Sequence, residues 1–235
     1  MCGIFGGTGI SLDQANDAIK LIRRGNDGIT LKKLDDGIIF AARRHLVKKS
    51  GKDTKAHSDQ PYFSEDQNIS LIFNGEFFNY LEFKNFLLSK KIRFSTTGDT
   101  EVFLKLYETK GIDFLYDKNI DSLFSLAIYD KKKDKIYVTR DWPGRIPVYY
   151  YHNEKDFIFS SELKAFKAIK NISLQDPIEL EPGFYIEFDC KTKKLKKIKY
   201  YKLINTHIPK DTEILDIGKK LDEVLDKSAK NRTMG

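Results

Sequence analysis

Two cysteines, Cys2 and Cys190, in 235 residues are too few for a disulfide framework, so a reducing compartment fits and each thiol is judged alone. No apolar run approaches the roughly 18 residues of a membrane-spanning helix, and residues 1–15 lack a charged start followed by a greasy stretch. The reading is of a cytoplasmic protein with no membrane partner. Six prolines and 15 glycines exclude collagen-like or linker character. His45, His57, His152 and His207 are scattered without metal-ligand spacing, and neither cysteine has a CxxC partner, so no metal site is expected. Neither a GxxxxGK loop nor a GxGxxG turn is present, so nothing here holds a nucleotide.

What is present is enough apolar material for a core. Hydrophobic residues make up 40% of the chain and aromatics 13%, which excludes disorder. A chain of this length buries roughly 70–75% of its unfolded surface. The excess of 41 Lys+Arg over 34 Asp+Glu raises the question of an anionic partner. Much of that excess sits in residues 191–202, where lysines interleave with Leu195, Ile198 and Tyr200 as on the wet face of an edge hairpin. No nucleic-acid partner is expected.

Residues 1–5 read as a short apolar strand, with Gly6, Gly7 and Gly9 as a flexible turn behind it. Ser11 with Gln14 forms a capping-box pattern, and Ala15, Ala18, Ile19 and Ile22 recur at helical spacing, predicting a helix to about Arg23. Residues 38–42 read as a buried strand and residues 48–62 as a loop. A strand over 69–73 closes at Asn74-Gly75. Asn79 then caps a helix over 80–90 with Phe83, Phe86 and Leu87 on one face, and a second helix spans 99–110. Short strands follow over 124–129, 135–139, 147–151, 156–160 and 184–188. The pattern is α+β with segregated antiparallel strands. Residues 212–231 make a last amphipathic helix, with Ile214, Ile217, Leu221, Val224 and Leu225 as its stripe.

Cys2 is the most informative position. Loss of Met1 leaves a terminal cysteine whose own α-amine, with an ordinary pKa of about 7.7–8.0, can take the thiol proton. The plainer alternative is a buried structural cysteine. Asn74-Gly75 is either a hairpin turn or a pair of donors, amide and backbone N–H, for the oxyanion of a tetrahedral intermediate. Asp99 is by default a helix N-cap and Arg43-Arg44 a pair of solvent-facing guanidinium groups. An arginine and an aspartate on separate segments are also what a free amino acid requires for its carboxylate and ammonium. Arg140-Asp141-Trp142-Pro143-Gly144 reads as an ion-paired turn, and Cys190 as incidental.

In order along the chain, Met1-Cys2-Gly3-Ile4, Arg24-Gly25-Asn26-Asp27-Gly28, Asp59-Gln60-Pro61, Phe73-Asn74-Gly75-Glu76-Phe77-Phe78-Asn79, Gly98-Asp99-Thr100-Glu101-Val102, residues 123–130, Arg140-Asp141 and Ser160-Ser161-Glu162 form a set. This set resembles the glutaminase domain of class II glutamine amidotransferases, specifically of the glutamine-hydrolysing asparagine synthetases. The likeness covers roughly residues 1–205. It implies the N-terminal nucleophile hydrolase fold, an αββα sandwich of two antiparallel sheets between helical layers. It implies that Cys2 attacks the side-chain amide of glutamine while Asn74 and the Gly75 N–H hold the oxyanion. Arg44 then clamps the α-carboxylate, and Glu76, Asp99 and a carbonyl near Val47 hold the α-ammonium. Asn26 stands where the family usually has proline, and Arg44-His45-Leu46-Val47 where it has an Arg-Leu-Ser-Ile type run.

By the same resemblance, residues 206–235 are a linker and the first helix of a synthetase domain, in cis or in trans. That domain, not this one, is where ATP and magnesium are expected, and it passes ammonia to its acceptor. An acceptor other than aspartate, such as a sugar or another metabolite of surface-polymer biosynthesis, is the alternative. A catalytically dead binding module on the same fold is another, and a homodimer stays open.

Overall fold

The computed structural model describes residues 1–45, 59–203 and 213–233. The chain divides into two units, Met1–Tyr201 and Lys202–Gly235. In the first unit, two six-stranded antiparallel sheets are built among the described residues. One sheet comprises β1 (Gly3–Thr8), β2 (Gly28–Asp35), β3 (Ile38–Arg44), β8 (Tyr149–His152), β9 (Phe157–Ser160) and β10 (Ile178–Glu179), in the order β10-β8-β9-β1-β3-β2. The other comprises β4 (Tyr62–Phe63), β5 (Ile69–Phe77), β6 (Ser122–Asp130), β7 (Lys135–Arg140), β11 (Phe184–Asp189) and β12 (Leu195–Lys199), in the order β12-β11-β7-β6-β5-β4.

Period-two alternation sorts the strands' side chains between layers. Ile4, Ile38, Phe40, Ala42, Phe157 and Phe159 of the first sheet meet Ile72, Ala127, Tyr129, Ile136, Val138, Ile186 and Phe188 of the second in one buried cluster. The residues between them point outward. Phe5, Ile39, Ala41 and Ile158 pack under α1 (Leu12–Leu21) and a short 3-10 segment, Leu163–Ala168. Phe73, Leu126, Ile128 and Tyr137 pack under α3 (Asp99–Lys110), with Leu87 of α2 (Tyr80–Ser89). The result is helix, sheet, sheet, helix. Phe103 of α3 sits among the rings of Phe73, Phe77, Phe114 and Phe124, with centroids 4.6–5.8 Å away. A buried ring of this kind contributes roughly 1.5–3 kcal/mol and fixes α3 on β5.

Several expectations hold. Ser11 and Gln14 make both bonds of the capping box at α1. The lysine-rich stretch contributes β12, an edge strand. Others are corrected. Gly6 and Gly7 lie inside β1 rather than in a turn, because neighbouring strands press on them: a Cβ on Gly6 would lie 2.7 Å from the Ile39 carbonyl, and one on Gly7 2.1 Å from that of Phe157. Asn74-Gly75 does not end its strand either. β5 continues to Phe77, with Asn74 opposite Ser125 and Gly75 opposite Phe124. At Gly75 a Cβ would fall 2.0 Å from the Leu123 carbonyl, so close approach, not a turn, requires the glycine. Asn79 precedes α2 without capping it by its side chain; its amide bonds the Asn119 carbonyl and accepts from the Asp121 N–H. Phe86 is half exposed rather than on the buried face. β2 carried no sequence expectation, because its Lys32-Lys33 interruption and exposed pattern hide it.

In the second unit, α4 (Ile214–Thr233) realises the amphipathic helix. Within that unit the helix buries none of its own stripe. No helix among the described residues is long and apolar enough to cross a membrane.

Candidate active site

The strand that begins beside Cys2 is gripped from two sides. Ile4 N–H donates to the Ser161 hydroxyl at 2.9 Å, and Ser161 N–H donates back to the Ile4 carbonyl at 2.9 Å. Next to it, the Glu162 carboxylate accepts from Arg24 Nε at 3.1 Å and from the Arg23 N–H at 3.3 Å. Two separated motifs thus converge on the start of β1. Gly3 permits it, since a Cβ there would lie 2.4 Å from Ile22 Cγ2. Gly25, at φ +82°, lets the turn after α1 pass the Arg43 carbonyl, which a Cβ would meet at 2.2 Å.

Cys2 is part-buried, and its sulfur accepts the His45 N–H at 3.3 Å. Burial pushes the thiol above its ordinary value. The His45 backbone, the positive chain terminus and Arg44 oppose that rise, and Asp99 adds to it. The thiol therefore lies in the electrostatic reach of both Arg44 and Asp99.

The two arginines of β3 divide. Arg43 spends its fork on the carbonyls of Gly25, Lys20 and Ile22 and on Asn26 Oδ1, so it staples the end of α1. Arg44 is buried rather than solvent-facing. It pairs with Asp59 and reaches the Asp27 carbonyl at 3.5 Å. Asp27 in turn sits 3.3 Å from His45 Nδ1.

On β5, Ile72 faces the inter-sheet core and Phe73 the helix side, so by alternation Asn74 faces inward, toward the layer that β1 and β3 share with β5. Asn74 is fully buried, its Nδ2 3.5 Å from the Ser125 hydroxyl and its Oδ1 without a partner. Ser125 Oγ–H is also a donor, and an amide turned over would accept it and release both Nδ2 hydrogens toward the site. Glu76 is half-buried one residue beyond Gly75. Asp99 opens α3 but does not cap it. Gly98 holds the N-cap position, and Asp99 Oδ2 accepts the Phe77 N–H at 3.1 Å, tying the helix to β5. The residue keeps some solvent contact, yet burial, reinforced by the charge of Glu76, raises its carboxyl to about 6. Glu101, by contrast, is structural: its carboxylate accepts the Ser95 and Thr96 N–H groups at 2.8 and 2.6 Å. Val47 lies outside the described residues.

Arg140 and Asp141 form the expected ion-paired turn, Asp141 holding Arg145 Nε at 3.0 Å and Arg140 Nη1 bonding Glu179 at 2.7 Å. Cys190 is buried, with its thiol pushed up to about 12 by burial, and stays inert. A cavity of about 620 Å³ opens around Thr8, Asp35, Tyr129 and Cys190, at the far end of β1 from Cys2. No expected site residue lines it. Among the described residues no group of His, Cys, Asp and Glu could hold a metal ion.

Against known proteins, the profile of the glutamine amidotransferase domain matches residues 1–207. The chain belongs to the glutamine amidotransferase family. Its relatives make it the class II domain of the asparagine synthetase type. The domain is 30% identical over 239 residues to asparagine synthetase [glutamine-hydrolyzing] 2 of Bacillus subtilis, covering 86% of this chain and 31% of that protein. It is 32% identical over 177 residues to asparagine synthetase B of Escherichia coli, covering 72% of this chain and 30% of that protein. The chain thus spans about a third of the length of these curated relatives. Among solved structures, the glutamine phosphoribosylpyrophosphate amidotransferase of B. subtilis superposes with a TM-score of 0.68 at 18% identity, over 87% of this chain and 50% of that one. That likeness is of fold, and it agrees with the αββα sandwich.

Of the residues near this corner, Asp59, Asp27 and Ser125 carried no expected role from sequence. Ser125 could have been found from register, as the residue facing Asn74. Nothing in sequence pairs Asp59 with Arg44.

Proposed function

We propose that this amidotransferase domain hydrolyses the side-chain amide of glutamine, with Cys2 as the N-terminal nucleophile after loss of Met1. The observation that carries the reading is that a buried arginine, Arg44, and a part-buried carboxyl, Asp99, both act by their charge on one thiol. Those are the charges a free α-amino acid needs, and Met1 is exposed to trimming. In this reading the Cys2 α-amine takes the thiol proton and Sγ bonds to the amide carbon. The oxyanion rests on Asn74 Nδ2 and the Gly75 N–H, and the leaving nitrogen takes the proton and departs as ammonia. Water then cleaves the thioester to glutamate. Arg44 receives the α-carboxylate; Glu76, Asp99 and a backbone carbonyl near Val47 receive the α-ammonium.

The ammonia is destined for an ATP- and magnesium-dependent acceptor site in a synthetase region, with residues 206–235 leading into it. Two unpaired cysteines suit a cytoplasmic setting. Incubation with glutamine is expected to yield glutamate and ammonia in equal amounts from protein whose intact mass lacks one methionine. Absence of glutamate from such protein ends the proposal. Asn74→Ala is expected to lower kcat about 10²–10³-fold with KM little changed, as for loss of one oxyanion donor. A change confined to KM would remove Asn74 from that role.

A further inference from the structure

We propose that Asp59 is a resident counter-carboxylate that competes with the substrate α-carboxylate for Arg44 and so sets the affinity and selectivity of the site. The proposal rests on the reading of Arg44 as the carboxylate clamp. The Arg44 side chain is 10% exposed while that of Asp59 is 51% exposed, so a wet carboxylate reaches inward to a buried guanidinium. A buried guanidinium cannot shed its proton, and leaving it without an anion is costly. Asp59 supplies that anion from the chain itself.

Its position is built. The next residue, Gln60, is buried, and its Oε1 accepts the Phe73 N–H at 2.6 Å, one residue before Asn74. The Gln60 carbonyl accepts the Thr30 hydroxyl of β2. Asp59 is thereby held beside β5 of one sheet and β2 of the other, the sheet that carries Arg44. A ligand that offers a carboxylate can exchange with Asp59, because the guanidinium keeps an anion throughout. A ligand that lacks one must leave Asp59 in place. The contact therefore weakens glutamine binding and favours free amino acids over amides without an α-carboxylate.

The test compares wild type with Asp59→Asn and Asp59→Ala in two readouts: steady-state hydrolysis of glutamine, and calorimetric titration with L-glutamate, which needs no turnover. The expected result is a fall in KM and in the L-glutamate Kd of roughly two- to fivefold, the scale of a half-exposed ion pair, with kcat unchanged. Raised salt is expected to shrink the difference. An unchanged or higher Kd in both variants overturns the proposal and makes Asp59 a positioning residue for Arg44. Protein that binds L-glutamate yet releases none from glutamine sinks the hydrolytic reading alone. Binding that survives Arg44→Ala, or that neither wild type nor variant shows, sinks the clamp and this proposal with it.

Discussion

Cys2→Ala is expected to release glutamate from glutamine about 10⁴-fold more slowly or worse, with melting temperature close to that of wild type. The size follows from the chemistry. Burial pushes the Cys2 thiol up, and an unperturbed thiol is already mostly protonated at neutral pH, so attack calls for a base in the same step. In the proposed mechanism, removing the sulfur removes the nucleophile and leaves water and the oxyanion donors. A chain that retains a residue ahead of Cys2 is expected to be equally inactive, since its amine is displaced from the sulfur. Glutamate release following time and enzyme concentration checks both. Full activity of Cys2→Ala would place the nucleophile elsewhere, and full activity of the extended chain would remove the α-amine from the role of base.

Asp99→Asn is expected to stabilise the domain at pH 8 and to cripple it. The folded-state pKa of about 6 lies above the ordinary 3.8, so the native protein holds this proton more tightly than the unfolded chain. That contribution is whole below about 3.8 and is lost as pH climbs through 6. Above 6 the charged carboxylate, pressed by Glu76, costs on the order of 2 kcal/mol once its partial exposure is allowed for. Asparagine keeps an acceptor for the Phe77 N–H and carries no charge. The melting temperature at pH 8 should rise roughly 4–8 °C, and the gain should vanish near pH 4. Glutamine binding should weaken about 10²-fold, because in the proposed pose the α-ammonium loses a part-buried charged partner. Equal gains at both pH values would show that charge is not the cause.

The layers were readable where side chains obey a period. α1 announced itself through Ser11 and Gln14, and the strands after residue 122 through alternation, because each answers to its own sequence. Asn74-Gly75 misled because a turn and a tightly packed strand both ask for glycine, and only the Leu123 carbonyl of the neighbouring strand decides. Asp99 looked like a cap for a similar reason: the acceptor it offers a helix end serves equally well for the N–H of a strand. Arg43 and Arg44 were indistinguishable in sequence. They part because consecutive side chains on β3 point to opposite faces, one to the end of α1 and one toward the thiol.

β1 lies between β3 and β9, and its first residues are clasped by Ser161. β1 thus sits at the centre of its sheet yet waits for a neighbour that begins at residue 157, about 150 residues further along the chain. At about 5–20 residues per second, that leaves an interval on the order of ten seconds in which the leading end has no second wall. During that interval β1 is held along one edge only, by β3.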